Sequence, residues 1–490
     1  MLKLQGNRMK ARVIFRSVSY SYFIVLISIL LFWVTLKTGI PAILSNYDFV
    51  TVISFIAIGF FSVLFLVRAV LQAGISLCVI HWYFIFIFFF IVPFFQYLGN
   101  LFTYQVNSND LLTGNIFILL WCLVYAFSYD YSIKKTSESS EIMNLFSCRN
   151  IRPKFLKHKF YILTLVSTLI ALHLISIFSL ESFFTRGSYS KLIEHIGGWK
   201  PHTYIITFYL RPLLFCTLIL FIGTVFFFRK IKRTPAVYVC LFVLFAANII
   251  VNNPLSYARF MSFTMLFGLF ILFSFRRVKT SLIYISVLFL GLPFIQTLNI
   301  FRQSYYHISQ NNNFKFNWDF LFRGSFDAYE NFIHTIRYVN QFGIVYGKQL
   351  AGALLFFVPR SFWINKPVGS GTYIAHALEK RFDVSHFNIG NPLISEMYLN
   401  FHITGIVIGA LFYGFITSWL DKNYRLSREE NVFEQSLHDK RISFYNILYP
   451  FLLGLYLFHL RGDFISSYAY TVGFILAFVT AVVFLKLRII

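Results

Sequence analysis

Long apolar runs alternate with short polar breaks along almost the whole chain. A helix that crosses a bilayer needs roughly 20 mostly apolar residues. Twelve stretches read as spans: 18–36, 49–67, 75–98, 111–129, 160–180, 204–228, 235–251, 260–275, 280–298, 394–420, 442–460 and 464–485. One region breaks this rhythm. Residues 299–393 carry aromatics throughout, with a helical pattern near 323–341 (RGSFDAYENFIHTIRYVNQ) and a second apolar piece at 347–358. That second piece is too short to span and reads as a re-entrant or interfacial helix. A connection of this length inside an ordered chain is expected to be folded and functional. The chain thus divides into nine spans over 1–298, a large loop over 299–393 and three spans over 394–490. The expected fold is an all-α polytopic membrane protein of about 12 transmembrane helices with one long, partly helical outer loop.

Charge sets the orientation. Lys and Arg crowd the loops that share a side with the N-terminus, such as RKIKR (229–233) and RRVK (276–279). By the positive-inside rule this predicts both termini in the cytoplasm and the 299–393 loop outside. No small-residue cleavage site follows 18–36, which reads as a retained anchor. The net charge of +24 would suggest nucleic acid in a soluble protein. Topology accounts for it here, since 58% of residues are hydrophobic and only 13% charged, and no nucleic-acid partner is expected. The five cysteines follow neither metal-ligand nor disulfide spacing and read as small apolar fillers.

The candidate chemistry is cationic. In FFVPRSFWINKPVGSG (356–371), prolines 359 and 367 stop any helix and hold Arg360 and Lys366 on irregular backbone. Such backbone at membrane depth is expected to line water or protein. Arg302 opens the loop, Arg259 ends NNPLSYAR (252–259), Arg211 lies inside the span holding FYLRP, and Arg461 lies in HLRGDF (459–464). All fall on one face, where a lipid-linked diphosphate would place its charge, and arginine suits phosphate through paired, planar hydrogen bonds. The plain alternative is that these cations meet lipid headgroups or nearby acids, Arg323 with Asp327 for example. Glu396, in NPLISEMYLNF (391–401), is either a helix-dipole partner or a base facing the cations. Histidines 81, 173, 402 and 459 are core residues or proton carriers, and the RGD at 461–463 reads as a chance match to an adhesion motif. The chain has no P-loop, GxGxxG or DxD pair, and Asp48 is the one acid of the first outer loop. A metal-dependent, nucleotide-sugar glycosyltransferase is therefore disfavoured, and no metal site or cofactor is expected.

NNPLSYAR, FVPRSFWINKP with the glycines behind it, NPLISEMYLNFHITG and LRGD, in this order over roughly 250–470, resemble the Wzy-type O-antigen and capsule polymerases. The resemblance implies a GT-C-like enzyme of the bacterial inner membrane with its long loop in the periplasm. Its substrate would be an undecaprenyl-diphosphate-linked oligosaccharide, polymerised without metal, and a chain-length co-polymerase is the implied partner besides membrane lipids. Arg259, Arg360, Lys366, Glu396 and Arg461 match the family phrases, and Arg211 and Arg302 join them by position and charge. On this reading the cations bind diphosphate. Glu396 is the base, with Glu330 and His376 in reserve, and Trp318, Tyr329 and Tyr373 stack on acceptor sugars. The rivals are an O-antigen ligase, which shares donor and architecture, and a flippase or other transporter, which would bury its cations in a central cavity.

Overall fold

The computed structural model describes residues 48–102, 106–135, 146–148, 153–178, 180–184, 201–254, 256–274, 287, 291, 326–378, 390–434 and 442–486. The first helix, α1 (Phe49–Ala73), starts where Asp48 accepts from the Val50 N–H at 3.3 Å and the Thr51 hydroxyl at 2.7 Å. The Thr51 hydroxyl is the chief reason that the Asp48 carboxyl is held below the usual acid range. Asp48, the lone acid between the first two expected spans, is thus a helix cap. Gly74, at φ 67°, ends the helix. Then follow α2 (Leu77–Leu98), α3 (Ser108–Lys135), α4 (Pro153–Phe178), α5 (Thr203–Phe227), α6 (Pro235–Val251) and α7 (Arg259–Ser274). The stretch expected as a large loop holds α8 (Ala328–Phe342), α9 (Lys348–Leu354) and α10 (Ser370–Leu378), and α11 (Leu393–Glu434), α12 (Tyr445–Arg461) and α13 (Phe464–Lys486) are the last described helices.

This is an all-α membrane protein. Seven of the described helices are long and apolar enough to cross a bilayer by length and composition. Three more apolar helices, α6, α7 and α12, have 17, 16 and 17 residues. The expected span 18–36 lies outside the described residues, as does 280–298 apart from residues 287 and 291. The only described β-structure is a two-residue antiparallel pair, Ser147–Cys148 with Ile442–Ser443.

Helix α12 is the axis of the packing. Every residue from 445 to 461 except Asn446 is buried, as expected of a helix that is apolar all round. Its neighbours are pinned at one end by Asp421 of α11. That carboxylate accepts from Leu77 N (2.9 Å), Cys78 N (3.2 Å), the Tyr129 hydroxyl (2.8 Å) and the Tyr449 hydroxyl. Four helices therefore meet on one fully used carboxylate, which offsets the cost of burying it. Small residues set the close crossings. Gly473 of α13 lies against the Phe208 backbone carbonyl of α5, where an added Cβ would collide with main chain. Gly473→Ala is expected to lower stability by about 1–3 kcal/mol, read as an earlier thermal unfolding in detergent.

The stretch 394–420, expected as one span, is broken. Phe401 (φ −143°, ψ 20°) and His402 (φ 57°, ψ −146°) leave helical geometry. Residues eight apart in a straight helix are separated by about 12 Å along the axis, yet the Met397 carbonyl sits on Gly405 and its side chain on Gly409. Residues 393–400 are therefore a short arm folded back on the long arm, 403–434. Glycines 405 and 409 leave room for that return. The Val345 N–H seals the reversal by donating to the Leu399 carbonyl at 3.0 Å.

Candidate functional site

The helices of the 299–393 stretch pack on the bundle: α8 against α3, α11 and the middle of α2, and α9 against α11 and α13. Helix α8 is amphipathic, and its apolar side points into the bundle. Tyr329 is fully buried, its ring 5.4 Å from Phe55 and its hydroxyl 2.8 Å from Asn115 Oδ1. This corrects its expected role: a residue sealed between α1 and α3 offers no face to a sugar. Tyr329→Phe is expected to cost about 1 kcal/mol for the lost hydrogen bond, seen as lower thermal stability with unchanged substrate affinity. Tyr373, on α10, remains half-buried.

One continuous polar network joins the loop to the bundle. Arg461, at the end of α12, pairs with Asp327 and donates to the Gly390 carbonyl at 3.1 Å. Gly390 is small because the guanidinium lies directly on it. The same carbonyl accepts from Asn331 Nδ2 at 3.0 Å. One turn on, the Thr335 hydroxyl donates to Asn391 Oδ1 at 3.1 Å, and Asn391 Nδ2 donates to Ser370 Oγ at 3.0 Å. Ser370 in turn donates to Glu396 Oε1, which also accepts from the Phe464 N–H at 3.3 Å. Glu396 is completely buried, and its Oε2 has no hydrogen-bond partner among the described residues. A spare buried carboxylate oxygen is rare enough to ask for a role. Asp463 begins α13 beside it, against Gly369. Burial pushes the Asp327 carboxyl above the usual acid range, against the pull of Arg461.

Arg211, Lys366 and Arg461 stand around an aromatic hub centred on Tyr470. Its ring touches Phe208 (4.7 Å), Tyr257 (5.8 Å) and Phe458 (5.8 Å). Arg211 is fully buried, 4.1 Å over the Tyr257 ring, and donates to the Val251 carbonyl and Ser256. Arg461 lies 5.7 Å from Phe260, which stacks on Phe458, and Lys366 lies 5.4 Å from Tyr204, which stacks on Phe208. Arg259 opens α7 and is half-buried. Arg211, Arg461 and Lys366 gather round this hub, but aromatic rings and local acceptors occupy the space between them. Arg360 and Lys366 face their own loop: Arg360 Nη1 donates to the Lys366 carbonyl (2.7 Å), and Lys366 Nζ donates to the carbonyls of Phe356 and Val358. Burial, and then the charge of Arg360, hold the Lys366 ammonium below the usual lysine range.

Glu330 is buried next to His334, 3.7 Å away on the same helix. Arg302 and Trp318 lie outside the described residues, as does the side chain of His376. So does Arg323; Asp327 is matched with Arg461 instead. Both charged residues of the RGD are buried in this network, which removes any adhesion reading. His81 stacks on Tyr125 at 3.5 Å and meets the Tyr456 hydroxyl at 3.0 Å, while His459 lies among Tyr413, Phe464 and Tyr468. Three of the four described free cysteines, 78, 122 and 216, are buried. Among the described residues no three His, Cys, Asp or Glu side chains gather as a metal site requires. Sequence reading missed Ser370, Asn391 and Asn331. Their signal was thin: Ser370 and Asn391 stand beside glycine or proline, as turn residues do, and Asn331 is one polar residue in an amphipathic helix.

Compared with known proteins, the chain matches no family model, no curated protein and no solved structure.

Proposed function

We propose that the chain is a lipid-linked oligosaccharide polymerase of the bacterial inner membrane, acting on the periplasmic side with both termini in the cytoplasm. The observation that carries this reading is the buried Glu396, with one unused oxygen, in one hydrogen-bonded network with Arg461 at the face where the other cations gather. A diphosphate on an undecaprenyl lipid supplies the anion such a face suits. Arg461 exchanges Asp327 for a phosphate oxygen, and exposed Arg360 adds a second donor set. Arg259 flanks them, and Arg211, caged by Tyr257, contributes field rather than contact. The acceptor hydroxyl attacks the anomeric carbon of the donor sugar, and the bond from that carbon to the diphosphate breaks. The hydroxyl proton passes to Glu396, and undecaprenyl diphosphate leaves, its charge held by the arginines. Tyr373 remains available to the acceptor, and a co-polymerase sets chain length.

The test is reconstitution. Purified protein is mixed with its lipid-diphosphate repeat unit in EDTA, and the products are run on a gel. A ladder of products is expected. Binding of the lipid without a ladder overturns polymerisation and leaves transport or ligation to a different acceptor.

A further inference from the structure

Residues 355–368 leave α9 and return towards α10 as an irregular hairpin, and much of the hydrogen bonding at its foot closes on itself. The N–H groups of Phe356, Val358, Phe362, Trp363 and Lys366 all donate to carbonyls within three or four residues, at 3.0–3.3 Å. Pro359 and Pro367 have no N–H to satisfy. The side chains do the rest. Lys366 Nζ takes the carbonyls of Phe356 and Val358, and Arg360 takes those of Lys366 (2.7 Å) and Pro367 (3.4 Å). A loop in water leaves such carbonyls to solvent; only in a poorly hydrated place must each find an internal partner.

The outward surface is independent of that. Phe362 is 86% exposed, Ile364 83% and Phe357 58%. A contiguous apolar tip of this kind marks a contact with lipid or protein. The foot of the hairpin sets its depth. Phe356 packs on Phe208 (5.9 Å) and Tyr468 (6.3 Å), which lie five and four residues inside the ends of α5 and α13. At 1.5 Å per residue this is about 6–8 Å below the helix ends. The apolar tip is therefore continuous with the outer surface of two spans.

We propose that hairpin 355–368 is embedded in the bilayer at this face, with Phe362 and Ile364 among lipid acyl chains. The two cations beside the prolines then serve the loop backbone: they satisfy the carbonyls of Phe356, Val358, Lys366 and Pro367, which lowers the cost of placing irregular chain in lipid. Arg360 reaches from this depth to the headgroup layer, as long cationic side chains do. This assignment stands whether or not the chain is a polymerase.

The experiment places an environment-sensitive fluorophore on Phe362→Cys or Ile364→Cys, with labelling of the unsubstituted protein subtracted. The protein is reconstituted in nanodiscs whose lipids carry nitroxides on the acyl chain or on the headgroup. Blue-shifted emission is expected, quenched several-fold more by acyl-chain nitroxide than by aqueous iodide. Iodide quenching that exceeds lipid quenching overturns the proposal. So does a label shielded from both quenchers, which places a second protein over the tip. Lys366→Met, which removes the donor to two carbonyls, is expected to raise iodide quenching at least twofold. An unchanged label depth in that variant would overturn the role given to the lysine. Both labelled positions are exposed, so neither substitution threatens the fold.

Discussion

Arg461→Ala is expected to destabilise the protein by about 3 kcal/mol, the lower end of the cost of removing one partner from a buried ion pair, because the Asp327 side chain is 20% exposed. The guanidinium is buried at the end of the central helix, where it pairs with Asp327 and donates to the Gly390 carbonyl. Its loss leaves Asp327 with a burial penalty that already pushes its carboxyl above the ordinary value of 3.8. The sign follows. An acid with a raised folded-state pKa binds its proton more tightly when folded, so its contribution to stability is full below 3.8 and lost as pH rises through the folded value. Without Arg461 the largest influence opposing that rise is gone, and only Asn331 and the local backbone still resist it, so the variant should weaken most from mildly acidic pH upward. Asp327→Asn in the same chain should recover much of the loss and flatten the pH dependence. Thermal unfolding of both single variants and the double, in detergent, completes the cycle. Strictly additive effects would show that the two residues are not energetically coupled.

Periodicity placed the helices because burial in lipid and protein writes itself into long apolar runs. Glu396, Arg461 and Arg360 stood out for the opposite reason, as charge where charge is costly. Partner choice was illegible. Arg323, four residues from Asp327, is the obvious local match, but Asp327 meets Arg461, which is 134 residues away in the chain. Lys366 looked like half of a phosphate clamp because its position says nothing of where its tip turns, which is onto the carbonyls of Phe356 and Val358. The break at Phe401–His402 was hidden as well. Neither residue is a helix breaker, and the evidence for the return lies in the glycines at 405 and 409, which are ordinary inside a membrane helix.

Glu396→Gln is expected to slow polymerisation by about 10²–10⁴-fold, the range lost with a general base, while binding of the lipid-linked donor is unchanged. The substitution keeps the shape of the side chain and one oxygen. That oxygen can still accept from Ser370 and from the Phe464 N–H at the start of α13. Glu396 thus serves the start of a different helix from its own, which sharpens the choice between a dipole partner and a base. A dipole partner acts through Oε1 and its two donors, a base through Oε2, which has no partner among the described residues. Ser370→Ala removes one donor from Oε1 and leaves Oε2 intact. If Glu396 only positions α13, the serine variant and the glutamine variant should lose stability and activity in parallel. If it is the base, the glutamine variant loses turnover with a modest loss of stability, because a buried amide N–H₂ replaces the free oxygen at about 1–3 kcal/mol. The serine variant then keeps most of its rate. Ladder formation and donor binding, measured side by side for the two variants, separate these cases, and a wild-type rate in Glu396→Gln removes the residue from proton transfer altogether.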